Sequence, residues 1–344
     1  MKNMKRGDFI KTFGLGAASL PYLGKSLYQN PPAELVKPKK LKKGDTVAFT
    51  APAGIVFDEN DFTRMKEVME SMGLNVVFGE YVRERYGYFA GTDRQRARDL
   101  NRFFSDPDID GIIAVRGGWG CARILPYIDF DAIKNNPKIY CGFSDNTTLH
   151  LALLHYCGLV SFHGPNGTSD WTDLTKDSFE SILMGAEKFE YRSNSKVEML
   201  FPGIVDGRLI GGNLTILTTS LGTDYQPNTD GAILFVEDIG EPVYKIDRMM
   251  THLARAGLMD KVNGFIFGKC TNCPEPGGAS FPMKEVLMHH IRPLGVPAIM
   301  GADISHDPDN FTIPLGLKAR LDADNGFFKL LEEPVVTGKE NSPD

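Results

Sequence analysis

From Asp45 to about residue 160 the chain alternates short apolar runs with amphipathic stretches, and this alternation constrains its fold more than any other feature. Residues 46–50 read as a strand. Residues 61–72 read as a helix with Phe62, Met65, Val68, Met69 and Met72 on one face and Gly73 as its stop. Residues 74–78 form the next expected strand, and Thr92 caps a helix carrying Ala97, Leu100, Phe103 and Phe104. The apolar strand at 111–115 runs into Arg116-Gly117-Gly118-Trp119-Gly120, and a helix follows around residues 122–127. A strand at 138–142 then leads into Phe143-Ser144-Asp145-Asn146, and a helix through Leu149, Leu153 and Leu154 ends at Gly158. Strands joined through helices run parallel, with right-handed crossovers. The expectation is an open parallel-sheet α/β domain of Rossmann or flavodoxin-like type over residues 44–185. Ligands of such sheets gather at the carboxyl ends of the strands, where the glycine-rich run and Ser144 both fall.

The second half carries more strand signals and fewer long helices. Residues 208–210, 232–236, 264–267 and 298–300 read as strands, and 317–330 as a hairpin turning at Asn325-Gly326. One helix is clear at 244–256, with Ile246, Met249, Met250 and Leu253 inward. A smaller β-rich mixed domain is expected over 203–344, reached through a linker at 186–202.

Composition narrows the chemistry. At 344 residues, 42% hydrophobic and 24% charged, the chain is long enough for two ordinary domains and for a buried active site. A net charge of -6 gives no general electrostatic reason for a nucleic-acid partner, which favours small-molecule or peptide chemistry. Residues 1–43 differ from the rest. Lys2, Lys5 and Arg6 precede an apolar stretch from Phe13 to Leu23 that is too short to span a membrane. This pattern resembles a twin-arginine export signal with one arginine missing, which would place the protein in the periplasm. The alternative is an amphipathic terminal helix on a cytoplasmic protein. Pro31, Pro32, Pro38 and lysines 39, 40, 42 and 43 read as a linker, so that the folded body begins near Gly44. Among the five cysteines, Cys121, Cys141 and Cys157 sit in apolar settings. Cys270-Thr271-Asn272-Cys273 has ligand-like spacing but no second pair to complete a zinc site, leaving a local disulfide or two thiols.

Four segments can carry chemistry, and each alone has an ordinary structural reading. Ser144, at a strand-to-helix turn, would present its hydroxyl beside the first amides of the helix, or simply cap it. The usual hydrolase elbow has glycine two residues after the serine, where this chain has Asn146. The run 116–120 can bring backbone N–H groups to a ligand or form a tight turn, and it lacks the spacing of a nucleotide loop. Val236-Glu237-Asp238-Ile239-Gly240-Glu241 is a carboxylate cluster at a strand end, which is also where solvated acids are common. Ser305-His306-Asp307 supplies a histidine, and a serine needs a base whose tautomer an acid fixes before it can attack an amide. His150 and His155 lie on the helix after Ser144 as packing or exposed groups, and His289 and His290 read as surface residues.

Together these segments resemble the LD-carboxypeptidase family, which includes the microcin-immunity amidohydrolases. The likeness runs through Gly44-Asp45-Thr46, Ala51-Pro52-Ala53-Gly54, Gly91-Thr92-Asp93, the run 116–120, Gly142-Phe143-Ser144-Asp145 and Phe162-His163-Gly164-Pro165. It continues through Gly211-Gly212-Asn213-Leu214, Glu237-Asp238, Tyr244-Lys245-Ile246-Asp247-Arg248, His306 and Pro314-Leu315-Gly316. The resemblance implies a catalytic triad of Ser144, Glu237 and His306, an oxyanion hole from the amides of Asp145 and Gly118, and no metal or organic cofactor. It also implies a murein peptide substrate and a homodimer. Arg116, Gly117 and Trp119 become candidate substrate-binding residues, Arg116 either reading a terminal carboxylate or pairing with a structural acid. The chain departs from the family pattern at Ser305, where glycine is usual, at Trp119, where tyrosine is commoner, and in its signal-like segment. The expected activity is hydrolysis of the amide to a terminal D-alanine through an acyl-enzyme. The rivals are a microcin-immunity-like amidohydrolase, a periplasmic ligand-binding module, and a metal enzyme built on His306, Asp307 and Asp309.

Overall fold

The computed structural model describes residues 34–274 and 278–337, so the signal-like stretch within residues 1–33 lies outside the described residues. Thr46–Thr50 is the strand next to one edge of a six-stranded N-terminal sheet, pairing in parallel with the edge strand Asn75–Phe78 on one side and Gly111–Ala114 on the other. Ile139–Gly142 and Phe162–His163 extend the parallel order. Gly111–Ala114 and Ile139–Gly142 are buried at every position, as strands covered on both faces must be. The far edge is Ile313–Pro314, antiparallel to Phe162–His163 and drawn from the other end of the chain.

The helices begin and end for local reasons. Asp93–Ser105 opens with a reciprocal capping box: Thr92 Oγ1 accepts from the Gln95 N–H at 3.3 Å, and Gln95 Oε1 accepts from the Thr92 N–H at 2.8 Å. Thr147–Cys157 is buried along most of its length and stops where Gly158 turns left-handed at φ 65°.

The second sheet has eight strands. Ile204–Asn213, Ala232–Ile239, Gly264–Thr271 and Ala298–Met300 run parallel through its middle. The hairpin Lys318–Asp322 and Phe327–Leu330 flanks them antiparallel. The helix Val243–Arg255 covers this sheet with Ile246, Met250 and Leu253 buried.

Two stretches that read as linkers are built into the body. Residues 186–202 contribute Glu190–Tyr191 and Glu198–Phe201, which pair antiparallel at opposite edges of the second sheet. In residues 34–43, the Val36 N–H donates to the Gly158 carbonyl at 2.9 Å, the Leu41 N–H donates to the Leu183 carbonyl at 2.8 Å, and Leu41 is buried. Apolar Val36 ahead of the lysines and Leu41 among them explain why this segment packs.

Candidate active site

Gly142, the last residue of its strand, is boxed in. A Cβ there would lie 3.0 Å from Ala114 Cβ and Asn166 Oδ1, and 3.1 Å from Asn146 Cγ. Phe143 is extended, and Ser144 then turns to φ 65°, a left-handed conformation that costs a non-glycine residue about 1–3 kcal/mol. Asn146 holds the turn: its Oδ1 accepts from the Tyr140 hydroxyl at 2.6 Å, and its Nδ2 donates to the Phe143 carbonyl at 3.0 Å and to Asn166 Oδ1 at 3.2 Å. The position where a hydrolase elbow has glycine is thus filled by a bonded polar side chain. The glycine that this turn requires stands two residues before the serine. Neither Ser144–Asn146 nor the following helix takes a side-chain cap, so Ser144 is not a helix cap.

The glycine-rich run lies directly against Ser144. A Cβ on Gly117 would come 2.7 Å from Ser144 Cβ and 2.9 Å from its Oγ. Gly118 adopts φ 111°, which an L side chain rarely tolerates. The bonds that hold the loop include the Gly54 N–H to the Gly117 carbonyl at 3.2 Å, Arg96 to the Gly120 carbonyl at 3.0 Å, and the Cys121 N–H to Asp145 Oδ2 at 2.8 Å. Burial pushes the Asp145 carboxyl above its usual range, against the pull of the Cys121 N–H. Arg96 also donates to the Pro52 carbonyl and pairs with Asp93, so one buried guanidinium clips both loops beside Ser144.

The acid and the histidine come from the second sheet. Glu237 is fully buried near the end of Ala232–Ile239, and its Oε2 accepts from His306 Nδ1 at 2.7 Å across 69 residues of chain. Asn213 Nδ2 donates to Glu237 Oε1 and to Asp238 Oδ1, both at 3.2 Å. The Asn213 N–H donates to Thr147 Oγ1 at 3.0 Å, which ties the acid to the helix after Ser144. His306 is held through its N–H to Thr271 Oγ1 at 3.2 Å, and its ring lies 4.6 Å from that of Phe143, the residue before Ser144. Burial works against the charged imidazole. The Glu237 charge and hydrogen bond, helped by Asp238 and Asp307, outweigh it and hold the His306 pKa above its ordinary value. With Nδ1 committed to Glu237, Nε2 is the nitrogen free to take a proton.

The remaining candidates are placed as follows. The Arg116 guanidinium donates to the Ile55 carbonyl at 2.9 Å and lies 5.0 Å from the centroid of the exposed Phe57 ring. It forms no ion pair within 4.0 Å among the described residues. Trp119 is 45% exposed beside the glycines. His306, Asp307 and Asp309 do not converge: Asp307 lies 3.5 Å from Lys269, and Asp309 accepts from Thr172 at 2.6 Å. Cys270 and Cys273 form a disulfide, which flanks Thr271. His290 was expected at the surface, yet its side chain is 8% exposed and meets Asp247 at 2.8 Å. Arg96, Asn213 and Thr271 were not singled out from the sequence as site residues. Arg96 carried one readable signal, since it shares a helix face with Leu100 and Phe103 and so points inward with them.

Residues 47–164 match the LD-carboxypeptidase N-terminal domain, and residues 206–321 match the LD-carboxypeptidase C-terminal domain. A probable murein peptide carboxypeptidase of Bacillus subtilis (strain 168) is 38% identical over 291 residues, covering 83% of this chain and 91% of that protein. The chain belongs to the LD-carboxypeptidase family. It is therefore a serine peptidase. Solved structures agree with this membership. The microcin C7 self-immunity protein MccF in its wild-type apo state superposes with a TM-score of 0.82 at 29% identity, covering 88% of this chain and all of that one. The muramoyltetrapeptide carboxypeptidase from Oxalobacter formigenes superposes with a TM-score of 0.73 at 30% identity, covering 83% and 97%.

Proposed function

We propose that this LD-carboxypeptidase family member hydrolyses the L,D-amide bond to a terminal D-alanine of a murein tetrapeptide through an acyl-enzyme on Ser144. The observation that carries the reading is the buried Glu237–His306 pair at 2.7 Å, set against the Phe143-Ser144 turn. In this mechanism Ser144 Oγ attacks the scissile carbonyl carbon and gives its proton to His306 Nε2. The N–H groups of Asp145 and Gly118 stabilise the oxyanion, and His306 returns the proton to the departing D-alanine nitrogen as the C–N bond breaks. Water activated by the same histidine then releases the acyl peptide. Glu237 fixes the tautomer throughout.

Arg116 is the proposed reader of the terminal carboxylate, because a partly buried guanidinium that makes no ion pair within 4.0 Å among the described residues suits an anionic ligand. Gly117 and Trp119 line the same approach. The test sets free-acid D-Ala, amidated D-Ala and free-acid L-Ala tetrapeptides side by side, with Ser144→Ala as control. Cleavage confined to the free-acid D-Ala peptide, and lost in Ser144→Ala, is expected. Equal cleavage of all three peptides refutes the carboxypeptidase reading in favour of a broader amidohydrolase. That second reading is favoured by one observation, the higher TM-score with MccF, 0.82 against 0.73.

A further inference from the structure

The face of Asp93–Ser105 opposite Arg96 is a basic groove for which the proposed chemistry has no use. Arg94, Arg98 and Arg102 stand four residues apart on this outward face, with Asn101, Ser105 and Tyr127 completing an open depression of about 570 Å³. No acidic side chain lines it. The chain's formal net charge is -6, so an undiluted row of arginines is not a consequence of overall composition.

Their charges are also weakly compensated. Among the described residues Arg94 has no ion pair and lies over the Tyr127 ring, 4.7 Å from its centroid. Arg98 donates to the Tyr81 hydroxyl at 3.1 Å, and Arg102 lies over the Phe103 ring and 3.9 Å from the Asp99 carboxylate. Four residues of α-helix advance about 6 Å, so the three arginines leave the helix at that repeat. The spacing is comparable to that of successive phosphates along an extended phosphodiester chain, and guanidinium is the side chain best suited to phosphate oxygens.

We propose that the Arg94-Arg98-Arg102 groove binds a linear phosphodiester polymer that carries no bases. Single-stranded nucleic acid binding relies on open aromatic faces, and the one aromatic ring in the groove is already covered by Arg94. Apart from Tyr127 the depression presents no large exposed apolar side chain to insert into a membrane.

The test is fluorescence anisotropy of a labelled glycerol-phosphate oligomer with the full-length protein. Binding should weaken with salt, with a log–log slope of about -2 for three contacts at about 0.7 each. R94Q/R98Q/R102Q should weaken it at least tenfold with the fold intact, since glutamine and arginine have similar helix propensities. K66Q/K188Q/K196Q removes the same charge from exposed sites elsewhere and should leave binding unchanged. Equal loss in both triple variants, or no loss in the arginine triple, overturns the proposal. So does tighter binding of oligothymidylate, which would mean that bases are read. Binding to phosphatidylglycerol vesicles without binding to the oligomer would assign the face to a membrane and overturn it as well.

Discussion

Replacing Glu237 with glutamine isolates the electrostatic part of the proposed machinery, because the surrounding bonds dictate how the new amide must sit. Asn213 Nδ2 donates to Glu237 Oε1 at 3.2 Å, so a glutamine there keeps its oxygen toward Asn213 and turns its NH₂ toward His306 Nδ1. His306 must then accept at Nδ1 and carry its proton on Nε2, the wrong tautomer for taking one from Ser144. The charge is lost as well. At about 4 Å and an effective dielectric near 20, the attraction between unit charges is about 4 kcal/mol. In the wild type the His306 pKa lies above its ordinary value, so kcat/KM should fall as pH drops through a point above 6.5, where the base becomes protonated. In Glu237→Gln burial still disfavours the imidazolium and Glu237 no longer offsets it, so the acid limb should move to lower pH while the plateau falls about 10³–10⁴-fold. The fold should survive, because the charge adjoining the buried Asp238 carboxylate is removed. The assay is kcat/KM on the tetrapeptide from pH 5 to 9 under conditions where chemistry is rate-limiting. An acid limb that stays in place, or rises, refutes the pairing argument.

Three further substitutions probe the supports. Gly117→Ala places a methyl within 2.7–2.9 Å of the Ser144 side chain, and kcat should fall at least about 10²-fold, with labelling by a fluorophosphonate slowed in parallel. Unchanged labelling would show that the loop does not bear on Ser144. Arg96→Lys cannot reproduce a fork that meets the Gly120 and Pro52 carbonyls and Asp93 together, so kcat should drop about tenfold with little change in KM. A loss confined to thermal stability would make Arg96 a strut only. Thr271→Val strips the acceptor from the His306 N–H and should cost about 1–3 kcal/mol in unfolding free energy along with reduced kcat, both recovered in Thr271→Ser. No recovery with serine would place the effect in packing.

Local physics was legible along most of the chain. Thr46–Thr50 and Ala298–Met300 occupy the ranges their apolar patterns marked, and the Thr92 cap and Gly158 stop act as read, because caps and glycine turns depend on a few neighbouring residues. The glycine-rich run and Ser144 were placed at strand ends by the same short-range logic. The strand Ala232–Ile239 was foreseen only as far as residue 236 because Glu237 and Asp238 look solvated in sequence, whereas both are buried.

What tertiary structure alone decided were the pairings between distant segments. Ile313–Pro314 closes the N-terminal sheet, and the polar stretch at 186–202 adds strands to the second sheet, since an edge is completed by whichever backbone reaches it. Glu237 meets His306 across 69 residues, and Arg96 is buried against two carbonyls that no spacing rule connects to it. The sequence by itself determined periodicity, turns and the supply of reactive groups, because those are set within a few residues. Which acid faces the histidine, and which arginine is buried and which exposed, follows from desolvation and hydrogen bonding in three dimensions, where a charge is stable only beside the partners that packing brings to it.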